Sequence, residues 1–225
     1  YLIPVIIIIG ILGNIISLVV FIGSKFRKIS TAVYLAAMAV SDIGFLITAG
    51  LTWLESMGLN IFQLPGMCHI FIYLGYVFGF TSVWFITLLT VEIFIAIFYS
   101  QKAVNICTVK SARKIVCITA FCGFSIYFFS FWTSDTTMIG NHVFCITRIN
   151  ARDALIGISL TDTLLAFLLP FSMIDQPINS ESSIRAPGGG LGKARKKMMK
   201  MLLTTIMVFL LLNLPSHALR LQAYV

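Results

Sequence analysis

The fold class predicted for this chain is all-α, a polytopic helical bundle in a membrane, and three observations predict it. Six apolar stretches, at 2–22, 30–51, 65–98, 112–132, 154–174 and 199–221, each reach the roughly 20 residues that a helix needs to cross a bilayer. The basic residues between them sort onto one side. Hydrophobic residues make up 59% of the chain and charged ones 11%, whereas soluble domains carry charge nearer one quarter. No internal repeat divides the chain, so one bundle accounts for its length.

The first span opens at Tyr1 without an initiator Met, a charged leading region or a small-residue cleavage site, and reads as a truncated transmembrane helix rather than a signal peptide. The second carries Asp42 in mid-span, and the third runs from Pro65 past Ser82 to Glu92 at its far end. The fourth holds Cys117 and Cys122, read as free thiols or small apolar residues. Pro170 and Pro215 interrupt the fifth and sixth, where each frees a backbone carbonyl and favours a kink. Between those two spans the composition turns to Asp, Asn, Ser, Pro and Gly over 175–193, a flexible linker. Its Gly192-Lys193 fails as a phosphate loop, because Pro187 and Ala194 stand where a glycine and a hydroxyl are required. The basic run Lys193 to Lys200 then anchors the sixth span at the membrane surface.

Thirteen basic residues fall in the first, third and fifth loops (Lys25, Arg27, Lys28; Lys102, Lys110, Arg113, Lys114; Arg185, Lys193, Arg195, Lys196, Lys197, Lys200). Only Arg148, Arg152 and Arg220 fall on the other side. The positive-inside rule puts the odd loops in the cytosol and the N-terminus outside. The net charge of +8 thus sets topology and meets anionic lipid headgroups, and nucleic acid is excluded as a partner. Cys68 and Cys145 both fall on the outer, oxidising side, and a disulfide between them is expected.

Charged groups inside spans are costly and point to function. Asp42, with Asn14 and Ser82, supplies oxygens for a small cation or forms a purely structural polar cluster. Asp162, His217 and Arg220 offer polar handles to a ligand arriving from outside, with Trp53 and Tyr76 as weaker aromatic candidates. The histidines share no ligand spacing with one another or with paired carboxylates, and no nucleophile has an adjacent base. No resident metal other than a sodium ion, no organic cofactor and no enzyme activity are expected. A small-solute transporter using Asp42 and Asp162 would call for matching halves with broken helices in corresponding positions, and these are not seen.

With these residues in place, the chain resembles a rhodopsin-like (class A) G protein-coupled receptor from its first helix to its sixth. Gly13-Asn14 resembles the Gly-Asn of the family's first helix. Met38-Ala-Val-Ser-Asp42 resembles the Leu-Ala-x-Ala-Asp of the second, whose aspartate binds sodium in the family. Cys68 precedes Glu92 by 24 residues, the family's interval between its disulfide cysteine and the acid of its Asp-Arg-Tyr triplet. Phe167-x-x-Pro170 is similar to the fifth-helix pattern, and Phe209 lies six residues before Pro215, as in the sixth.

The resemblance implies a plasma-membrane receptor in which an extracellular ligand contracts the outer pocket, the sixth helix pivots at its proline, and a cytosolic cavity opens for a heterotrimeric G protein. Val83, Pro170 and Phe209 would form the packing switch. It also implies a seventh helix beyond Val225. Three departures stand out. The triplet reads Glu92-Ile93-Phe94, without its arginine, which opens the alternative of a receptor-like decoy that binds and does not signal. Leu212 and Asn213 replace the toggle cysteine and tryptophan, and there is no clear fourth-helix tryptophan. Gly75 stands where amine receptors carry their counter-ion, so a biogenic amine is disfavoured. A wide polar mouth suits a peptide, and the sixth-helix sequence is similar to that of neuropeptide receptors.

Overall fold

A computed structural model describes residues 2–23, 28–59, 61–139 and 142–174. The linker at 175–193 and the sixth span lie outside the described residues, and with them Phe209, Asn213, Pro215, His217 and Arg220.

The helices are α1 (Leu2–Gly23), α2 (Ser30–Ser56), α3 (Met67–Phe98), the short α4 (Ser100–Ile106), α5 (Val109–Ile126), the single turn α6 (Ser130–Thr133) and α7 (Ile149–Ile174). Four apolar segments (Leu2–Gly23, Ser30–Ser56, Met67–Ala96 and Val109–Thr133) have the length and composition to cross a membrane. The helices start and stop where local chemistry allows. Gly66 sits at φ 85° ahead of α3, a left-handed conformation that glycine adopts without a Cβ penalty. The Thr108 side chain accepts the Ser111 N–H at 3.2 Å and caps α5, an arrangement that holds the first turn of a helix.

Several bounds differ from the sequence expectation. α2 runs past 51 to Ser56, because the Glu55 carboxylate accepts the N–H groups of Ile61 and Phe62, the latter at 3.0 Å, and so folds the following turn back onto the helix. The apolar stretch at 112–132 divides into α5 and α6. α7 begins at Ile149, a full turn before 154. Between α6 and α7 the otherwise helical chain contains a hairpin, β1 (Ser134–Ile139) against β2 (His142–Thr147), antiparallel with Thr136 opposite Cys145.

α3 is the central post. Its 32 residues span about 48 Å at 1.5 Å per residue, and it packs against α2, α5, α6 and α7. The core forms where Tyr76, Val77 and Phe80 of α3 meet Tyr127, at the end of α5, and Leu155 of α7. α2 approaches α3 through Gly44, where an added Cβ would fall 2.6 Å from the Phe78 ring. α1 packs against α2 and buries none of its residues among the described ones, so its Ile, Leu and Val side chains form apolar surface there.

Candidate functional site

Four places in the bundle hold the side chains that the sequence singles out. At one end, Cys68 in the first turn of α3 forms a disulfide with Cys145 of β2, Cα to Cα 5.5 Å, and the hairpin is thereby tied over α3. Arg148 Nε bonds Asp135 Oδ2 at 3.2 Å. The Thr136 N–H, with the Arg148 guanidinium beside it, holds the Asp135 carboxyl below the usual carboxylate range. Trp53 is half-buried near the end of α2. Tyr76 lies deeper, 6% exposed, stacked on Tyr127 with ring centroids 5.3 Å apart and 7° between planes.

In the middle of the bundle, two polar pairs join α2 to α3. Ser82 Oγ donates to Asp42 Oδ1, and Thr81 Oγ1 donates to Ser41 Oγ at 2.9 Å. Both answer the same need, since a polar group removed from water must find a partner. Asn14 turns its amide onto its own helix, with Nδ2 donating to the Gly10 carbonyl at 2.9 Å. Val83, beside Ser82, is buried.

On the other side of α3, a cavity of about 710 Å³ opens between α3, α5 and α7, with walls that include Phe80, Trp84, Leu88, Ile118, Ile126, Tyr127 and Leu165. Asp162 is its acidic side chain among the described residues, and Trp84 Nε1 donates to it. The indole thus satisfies one oxygen of a carboxylate set among apolar groups. This is a volume suited to a small ligand, with few polar groups to orient it.

At the end of α3 remote from the disulfide, Glu92 is 7% exposed although the sequence leaves it at the close of a span, where water would reach it. Ser30 Oγ, in the first turn of α2, donates to Glu92 Oε1. Ser30 Oγ also lies 3.2 Å from the Cys107 carbonyl, and Cys107 Sγ lies 3.8 Å from the Glu92 backbone carbonyl. Burial, with Glu92 close by, pushes the Cys107 thiol pKa up. Ile93 and Phe94 are half-buried beside it, the Phe94 ring 6.2 Å from Tyr99. α7 continues through Pro170 to Ile174.

Sequence reasoning missed Trp84, Ser30 and the hairpin. The short β-branched and aromatic run Val143-Phe144-Cys145-Ile146 directly after Gly140-Asn141 carried the hairpin signal. Nothing local marked Trp84 or Ser30, whose partners lie 78 and 62 residues away.

Comparison with known proteins agrees with this architecture of apolar helices tied at one end by a disulfide to α3. The profile of the 7 transmembrane receptor (rhodopsin family) matches residues 13–225, and the chain belongs to that family. It is a multi-pass membrane protein of a receptor family and not an enzyme. Among its relatives, the cysteinyl leukotriene receptor 2 of Sus scrofa is 26% identical over 94% of this chain and 63% of the relative. The thyrotropin-releasing hormone receptor of Gallus gallus is 36% identical over 48% of this chain and 27% of the relative. The C-C chemokine receptor type 8 of Mus musculus is 30% identical over 46% and 29%. The chain therefore spans less than two thirds of the length of these relatives.

Proposed function

We propose that the chain is the bundle of a cell-surface G protein-coupled receptor, with its N-terminus and disulfide end outside and Glu92 at the cytosolic end. The extracellular ligand is a peptide, and the transducer is a heterotrimeric G protein. The observation that carries this reading is the Cys68–Cys145 bond, found at the end away from the basic loops, where an oxidising compartment would form it. The ligand enters past Trp53 and the hairpin toward Asp162, with Tyr76 one turn of α3 nearer the disulfide than Phe80 of the cavity wall, and His217 and Arg220 are the further polar residues offered to it. A bound ligand shifts the bundle between two arrangements only by its difference in affinity for them. Val83, Pro170 and Phe209 carry that shift inward, and Asn213 and Pro215 set the pivot. Asp42 and Ser82, with Asn14, take a sodium ion in the resting state.

The apolar walls of the cavity around Asp162 favour a second reading, in which the ligand is lipid-like. Similarity to a receptor named for a leukotriene supports it. Both are tested by restoring the full-length receptor in nanodiscs, applying a peptide library and a set of lipid mediators, and reading nucleotide exchange on a G protein. Response to a peptide is expected, and response to lipids alone would replace the peptide reading with the second. Ile93 weakens the usual coupling contact. Silence in the native chain with recovery on Ile93→Arg would identify a coupling-deficient receptor. Silence in both, with ligand still bound, would leave a receptor that binds without signalling.

A further inference from the structure

Glu92 makes no ion pair among the described residues, yet it is nearly withdrawn from water. A buried carboxylate without a cation must collect hydrogen-bond donors. Its donors come from α2: the Ser30 hydroxyl and the phenol of Tyr34, which is 2% exposed and interacts with the same group. Ser30 has one proton and two acceptors within reach, and the carboxylate is the stronger of them. The Cys107 carbonyl, 3.2 Å from the same hydroxyl, shares that proton as its weaker second acceptor, while Cys107 Sγ touches the Glu92 backbone. Residue 107 leads directly into the Thr108 cap of α5. The first turn of α2, the last turns of α3 and the start of α5 consequently meet around one side chain.

We infer that Ser30 and Tyr34 are positioning residues that hold Glu92 in a hydroxyl–carboxylate latch, closing this end of the bundle in place of the arginine that position 93 does not supply. An arginine at 93 would satisfy Glu92 from within α3 and leave α2 free. The latch instead joins α2, α3 and the α4–α5 turn, so movement at this end either breaks it or carries all three together. Its effect on coupling rests on the receptor reading above, whereas its effect on local opening does not.

The test uses the full-length receptor in nanodiscs and follows amide hydrogen exchange over residues 99–109, alongside basal nucleotide exchange on a G protein. Ser30→Ala and Tyr34→Phe should each speed exchange in that segment about tenfold, the scale of losing one hydrogen bond to a carboxylate. Ser30→Thr, which keeps the hydroxyl, should stay near wild type, whereas adding Ile93→Arg to Ser30→Ala, which satisfies Glu92 within α3 and leaves α2 free, should not restore protection. Unchanged protection in Ser30→Ala would overturn the inference, as would acceleration spread equally over α1 and the hairpin, or full protection regained on adding Ile93→Arg, since Glu92 would then need a partner but not α2. If protection falls in Ser30→Ala and is kept in Ser30→Thr while no variant exchanges nucleotide, the latch stands and the coupling reading fails. If basal exchange on the G protein responds with protection unchanged, coupling stands and the latch fails.

Discussion

Trp84 and Asp162 form the pair whose consequences are sharpest. The indole N–H is the donor to a carboxylate in an apolar wall, so Trp84→Phe removes the donor, keeps most of the ring and leaves the acceptor unsatisfied. A loss of about 1–3 kcal/mol is expected, read as a lower melting temperature in nanodiscs. Asp162→Leu in the same background should recover much of it, because replacing both partners removes the penalty. Cys107 offers a pH test outside the membrane spans. Burial and the neighbouring Glu92 raise its thiol pKa, so the folded state favours the neutral form. The stability linked to this group is complete below the ordinary thiol pKa and is lost as pH rises through the raised folded value. Alkylation of Cys107 should accordingly reach its half-maximal rate at a higher pH in the native receptor than after denaturation, measured by mass spectrometry of the modified peptide.

At the level of elements, helix contacts are governed by where small residues let backbones come close. Gly44 of α2 is one such place, since a Cβ there would lie 2.6 Å from Phe78. Gly44→Val should destabilise by about 1–3 kcal/mol through overpacking. Gly157→Ala on α7 meets nothing within 4 Å and should be tolerated, a contrast that thermal unfolding of the two variants would reveal. The presence of the first four spans was legible in the sequence because it follows from apolar run length, a local property. The extension of α2 to Ser56 was not, because it depends on Glu55 reaching the backbone of residues 61 and 62. The latch around Glu92 was hidden for the same reason at longer range: Ser30 carries no periodic or charge signal that names its partner. Cys68 and Cys145 were legible as a pair since topology alone brings them to one compartment.

Across the whole molecule, the disulfide joins positions 77 residues apart and with them the hairpin and the start of α3. Cys145→Ser should lower stability by about 2–4 kcal/mol and raise hydrogen exchange across β1 and β2, while the amides of α2 and α3 near Asp42 keep their protection. Reduction of the wild-type protein should reproduce the variant. Among the described residues α3 is gripped from several sides, whereas the contacts of α1 are chiefly with α2. Because no α1 side chain is buried among the described residues, the seat of this helix there depends on the hydrocarbon solvent as much as on α2. Purification is therefore where this helix is most vulnerable: a short-chain detergent that withdraws the acyl layer would strip it away first and leave a remnant that still looks folded around α3.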